Sequence, residues 1–150
     1  MKKTRLKTAL FIALLIGSML LSGCGQTTKE AMSAAEVAAE LQAQGYTVSD
    51  TPEDFGAGYT ATLAAENDSL HVEFYELEQA SYAQSFHQNV LSSISEATSA
   101  STTVSGQNYS IVKVTASGTF YIVTYIDQTV LIVTGPKNAA KELASALGYN

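Results

Sequence analysis

The sequence predicts an α+β fold: an antiparallel β-sheet of about five to six strands with two to three helices packed on one face, in the order α-β-β-β-α-β-β-β-α. Three observations carry that expectation. Residues 109–115 alternate, 119–126 are rich in β-branched and aromatic residues and 129–133 return, with breaks at Ser117-Gly118 and Asp127-Gln128, the pattern of a three-strand antiparallel meander. Tyr82, Phe86, Val90 and Ile94 recur every fourth residue, with Ala83 and Leu91 widening the stripe, which is helical spacing. Helix signals also bracket the region, before the first strand and after the last. Helices gathered on one face of such a sheet are the simplest packing for that order.

The elements follow in turn. Ser33-Ala34-Ala35-Glu36 has capping-box spacing, Ala34, Val37, Ala38 and Leu41 share a helical face, and Gly45 suits the stop. A short strand over Tyr46 to Ser49 comes next. Thr51-Pro52-Glu53-Asp54 reads as a turn or one helical turn, with Pro52 at the first helical position. The strand from Tyr59 to Ala65 sets Tyr59, Ala61, Leu63 and Ala65 on one side. Asn67-Asp68 then supplies hairpin chemistry, because both residues tolerate left-handed backbone angles. The return strand alternates Leu70, Val72 and Phe74 against His71, Glu73 and Tyr75. A helix begins near Glu78. From Ser92 to Gly106 the composition turns to Ser, Thr and Ala, which predicts a mobile surface loop with little to bury. The final helix, about Lys137 to Leu147, points Ala140, Leu143, Ala144 and Leu147 inward and ends at Gly148.

The N-terminus has a different character. Lys2, Lys3, Arg5 and Lys7 precede an apolar core from Ala9 to Leu21, which leads into Leu21-Ser22-Gly23-Cys24. A basic segment, a short apolar segment and small residues before a cut form an export signal. The core would rise only about 20 Å as a helix, short of a hydrocarbon layer of about 30 Å. The last four residues resemble the lipobox of bacterial lipoproteins. That resemblance implies removal of residues 1–23, a diacylglyceryl group on the Cys24 sulfur, and anchorage on the extracytoplasmic face of the cell membrane. A thiolate is the nucleophile such an alkylation needs, and several acyl chains hold where one is marginal. Residues 24–32 are then a lipidated cysteine with a short tether, and 33–150 a single domain.

Removing the signal leaves 127 of the 150 residues, with fourteen acids against Lys29, Lys113, Lys137 and Lys141, a formal balance of −10. So acidic a domain lacks the basic surface that nucleic-acid binding requires, so no nucleic-acid partner is expected. With its sole cysteine acylated it forms no disulfide and must be held by packing alone.

The region also resembles a loose group of small lipoproteins of Gram-positive type. The likeness rests on the lipobox and on the helix from Ala35-Glu36-Val37 to Gly45-Tyr46. It extends through Val72-Glu73-Phe74-Tyr75, Tyr121-Ile122-Val123, Val130-Leu131-Ile132-Val133 and Leu147-Gly148-Tyr149. These are structural positions, and the resemblance implies no activity.

Candidate chemistry is thin. His71 and Glu73 share a strand face about 7 Å apart, and with His87 they would make a two-His, one-carboxylate metal set, although no HxH or HxxxH spacing supports it. Asp50, Glu53 and Asp54 cluster around a turn without the alternating acids of a calcium loop; acids at a helix N-terminus explain Glu53 and Asp54 better. No Gly-x-Ser-x-Gly elbow frames a serine, and Gly56-Ala57-Gly58 lacks the helix and lysine of a phosphate loop. Tyr75, Tyr109, Tyr121 and Tyr125 offer an aromatic interaction surface. The expectation is a non-enzymatic lipid-anchored module that binds an envelope protein or a small ligand, with no cofactor beyond the lipid on Cys24. The alternatives are a small extracytoplasmic metal-assisted hydrolase using His71, Glu73 and His87, and a purely structural or immunity-type lipoprotein.

Overall fold

The computed structural model describes residues 27–50, 58–95 and 98–150. The signal segment, the lipobox with Cys24, and Thr51 to Asp54 lie outside the described residues. The chain runs α1 (Ala34–Ala43), β1 (Thr47–Asp50), β2 (Tyr59–Glu66), β3 (His71–Leu77), α2 (Ala80–Ser95), β4 (Thr98–Ser105), β5 (Tyr109–Ala116), β6 (Thr119–Ile126), β7 (Thr129–Gly135) and α3 (Lys137–Ala146). The fold class is α+β, as the sequence predicts.

Among the described residues seven strands, rather than five or six, form one antiparallel sheet in the order β1-β2-β3-β7-β6-β5-β4. The additional strand is β4, where a mobile loop is expected from composition. It pairs with β5 from Thr98↔Ala116 to Ser105↔Ser110. An edge strand needs no apolar face, and β-branched threonines suit extended backbone. Its bulkiest side chain, Val104, is 56% exposed.

The helices do not share one face. On the first face α1 and α3 cover Leu63, Val72, Phe74, Ile122, Leu131 and Val133. On the second, α2 covers Leu77, Val123, Val130 and Ile132 through Ala83, Phe86, Val90, Leu91 and Ile94. The physical reason is visible in β7, where Thr129 to Val133 are buried without a break. A strand apolar on both sides requires cover on both sides. Two smaller departures follow from local geometry. A register shift between Tyr59 and Ala61 sends Tyr59 to the second face, away from Leu63 and Ala65. Tyr82 begins the predicted stripe of α2 yet is 43% exposed, and Ala83 takes the inward position.

Helix α1 starts on the capping box foreseen for Ser33 and Glu36: Ser33 N–H donates to Glu36 Oε2 at 2.8 Å, and Glu36 N–H donates to Ser33 Oγ. Both α1 and α3 end in the same way. Gly45 and Gly148 take φ of 84° and 76°. The next residues, Tyr46 and Tyr149, then donate their N–H groups back to Leu41 O and Ala144 O. Those are Schellman closures, and they turn both tyrosines into the core of the first face. No described helix is long and apolar enough to cross a membrane.

Candidate functional site

One end of the sheet gathers the β4–β5 loop (Gly106 to Asn108), the β6–β7 turn (Asp127-Gln128) and the last residues of β3. The residues ahead of α1 are laced across this end as a strap. Gln107 N–H donates to Thr27 O at 3.1 Å, and the Thr27 and Tyr109 hydroxyls are 2.9 Å apart. Asn108 behaves as a short piece of partner strand toward Lys29. Its Oδ1 accepts from Lys29 N–H at 3.0 Å, and its Nδ2 donates to Lys29 O at 2.7 Å. The same Nδ2 also donates to Asp127 Oδ2 at 2.9 Å, which fixes the amide from behind. Lys29 Nζ lies 5.5 Å from the Tyr109 ring centroid, within cation–π range. Gly106 is required for this approach, because a Cβ there would collide with Thr27 O and the Tyr109 ring.

Beneath the strap is an open cleft of about 690 Å³, lined by Lys29, Ser33, Glu76, Asn108, Asp127 and Thr129 among others. Most of its polar groups are already engaged in holding the fold. Glu76 Oε2 accepts Ala34 N–H at 3.0 Å, satisfying one of the free donors at the start of α1. Thr129 Oγ1 donates to Ile126 O and lies 2.6 Å from the Tyr149 hydroxyl. That hydroxyl also meets the Met32 backbone, and burial pushes its pKa up to about 12. The cleft is therefore a polar joint between the strap and the sheet. The Ser33 hydroxyl in its lining donates to the Glu36 carboxylate at 2.8 Å as part of the α1 cap.

The predicted candidates are dispersed. His71, Glu73 and Tyr75 do line one face of β3: Tyr75 Oη donates to Glu73 Oε2 at 2.8 Å, and Glu73 Oε1 lies 3.2 Å from His71 Nε2. His87 is not part of that line. It lies on α2, buried against the sheet, with Nε2 3.2 Å from Val123 O and its ring edge-on to Tyr125 at 5.1 Å. Its pKa is lowered by burial, which the Val123 carbonyl partly offsets. Among the described residues no group of three His, Cys, Asp or Glu side chains is placed to hold a metal ion. Burial, with Glu73 adding to it, raises the Tyr75 pKa far above that of an ordinary phenol, the opposite of what a catalytic phenolate needs. Tyr75 is packed instead against Tyr59 at 6.0 Å and Phe86 at 4.6 Å.

The four-tyrosine surface is divided by the sheet. Tyr75, Tyr121 and Tyr125 pack on the second face beside α2, while Tyr109 is buried on the first and belongs to the strap joint. Asp50 lies in β1, and Glu53 and Asp54 fall outside the described residues. The residue that sequence reasoning passes over is Asn108. Its hairpin position is readable from Gly106-Gln107-Asn108, but nothing in one dimension joins it to Lys29, 79 positions away.

A comparison with protein-family models and with curated proteins finds no match for the chain. Among solved structures, a GTP binding regulator from Thermotoga maritima superposes with a TM-score of 0.54 at 14% identity, covering 78% of this chain and 85% of that one. At that identity the similarity is one of fold.

Proposed function

We propose that this chain is a lipoprotein held by a lipid on Cys24 at the extracytoplasmic face of the cell membrane, and that its domain is a non-enzymatic interaction module. The observation that carries the reading joins sequence and structure. Only Gly25 and Gln26 separate the lipobox cysteine from Thr27, where the chain is already bonded to the sheet. A domain tied down so soon after the anchor residue suits a protein that works at a surface. The non-enzymatic part is supported by His87, which is buried on Val123 O rather than joined to the His71–Glu73 pair.

GTP binding is a description of the structural neighbour and gains no support here. The lysines that could meet phosphate are spread over the strap (Lys29), β5 (Lys113) and α3 (Lys137, Lys141), against a formal balance of −10 outside the signal. Cys24→Ser tests the anchor. It is expected to abolish labelling by radioactive palmitate in growing cells, and labelling equal to wild type rejects the lipidation.

A further inference from the structure

We infer that the strap from Thr27 to Glu30, locked by Gln107, Asn108 and Tyr109, is an orienting device that makes the turn end of the sheet, with Asp127-Gln128 and Asn108, the membrane-facing end of the domain. The inference rests on the lipid anchor proposed for Cys24. Its argument is one of lengths. From Cys24 to Thr27 is three residue steps, about 10 Å at full extension, whereas a strand of eight residues is about 26 Å long. A tether shorter than the body it holds restricts how that body turns. The turn end stays near the headgroups while the opposite end, with Asn67 to Ser69 and Ser117-Gly118, stands a strand's length farther out.

If the strap loses both the Asn108 amide and the Thr27 contacts with Gln107 N–H and the Tyr109 hydroxyl, the first fixed residues become Ala31 and Met32, which pack on the core. The tether then has seven steps, about 24 Å, comparable with the strand length, and the domain is free to tip. The contacts at Thr27 and Lys29 together therefore set the difference between an oriented and a freely turning domain. The Asn108 amide supplies the two bonds to Lys29 and is itself held by Asp127 Oδ2. The orientation also places the cleft on the bilayer side. Repulsion between its carboxylates and anionic headgroups reaches about 8 to 10 Å at ordinary salt, similar to the length of the closed tether, so the end is held close without adhering.

The test uses the mature lipidated protein in phosphatidylcholine vesicles that carry a nitroxide-headgroup quencher. Acylation occupies the sole native thiol, so Gln128→Cys and Asp68→Cys each provide one exposed labelling position, at the two ends of the sheet. Flotation with the vesicles is read first, and protein that stays at the bottom of the gradient overturns the anchor and this inference with it. In floating protein, a fluorophore at position 128 is expected to be quenched at least about threefold more than one at 68. With Asn108→Ala and Gly106→Ala both added, the first removing the Lys29 bonds and the second setting a Cβ against Thr27 O, that ratio should fall below about twofold. Equal quenching in the parent protein overturns the inference even if the double variant does not fold, and so does an unchanged ratio in a folded double variant.

Discussion

Thr124 is the one described residue with a fully buried side-chain oxygen that finds no hydrogen-bond partner. It sits in β6 opposite Ile111 and Leu131, where valine would have the same shape. An unmet buried hydroxyl costs about 1 to 3 kcal/mol, so Thr124→Val is expected to raise stability by about 1 kcal/mol. The measurement is urea unfolding, with a higher midpoint at unchanged slope. His87 gives a pH dependence of definite sign. Its folded pKa is depressed by burial, so the unfolded chain takes up the proton first as pH falls below about 6.5. The stability contributed by neutral His87 is present above that pH and is lost as pH falls through the lower folded value. The unfolding midpoint should decline from pH 7 to pH 5, and His87→Gln should flatten that decline. An equally steep decline in the variant would show that other groups govern it.

At the scale of elements, the paired Schellman closures deserve comparison, because α1 and α3 each return a tyrosine to the same core. Tyr149 is fully buried, edge-on to Phe74 at 6.1 Å, and bonded to Thr129. Gly148→Ala puts a Cβ at φ 76° with nothing nearby to collide with it, so its cost is backbone conformation alone, about 1 to 2 kcal/mol. A drop of that size in thermal or urea stability is expected, and an unchanged midpoint would mean that the helix end relaxes. Elements such as these were legible in the sequence because their signals are local. The capping box of Ser33, the glycine stops, the β3 alternation and the final meander all depend on residues within a few positions of one another. β4 was hidden because an edge strand lacks the apolar pattern by which strands are recognised; only Val104 is bulky. The second-face position of α2 was encoded in the unbroken run Val130 to Val133, although the order of elements alone points to helices gathered on one face. Asn108 could not be found locally, because its meaning arises only when the strap is laid across the hairpin.

For the whole molecule, the sheet consists of two blocks, β1-β2-β3 and β7-β6-β5-β4, joined by a single seam between β3 and β7. The seam pairs His71 with Thr134 at one end and Glu76 with Thr129 at the other. Its partners are thus 63 and 53 positions apart, with α2 and three strands between them. That separation has a temporal meaning. At synthesis rates of about 5 to 20 residues per second, β3 emerges about 3 to 12 seconds before the strand that will cover its edge. Over that interval β1 to β3 can fold only as a hairpin block with Val72 and Phe74 incompletely covered, while α2 and the later strands are still being made. An unpaired strand edge of this kind readily accepts the wrong partner. The seam therefore sets a waiting time on the growing chain, during which its first block depends on whatever shields it from other chains.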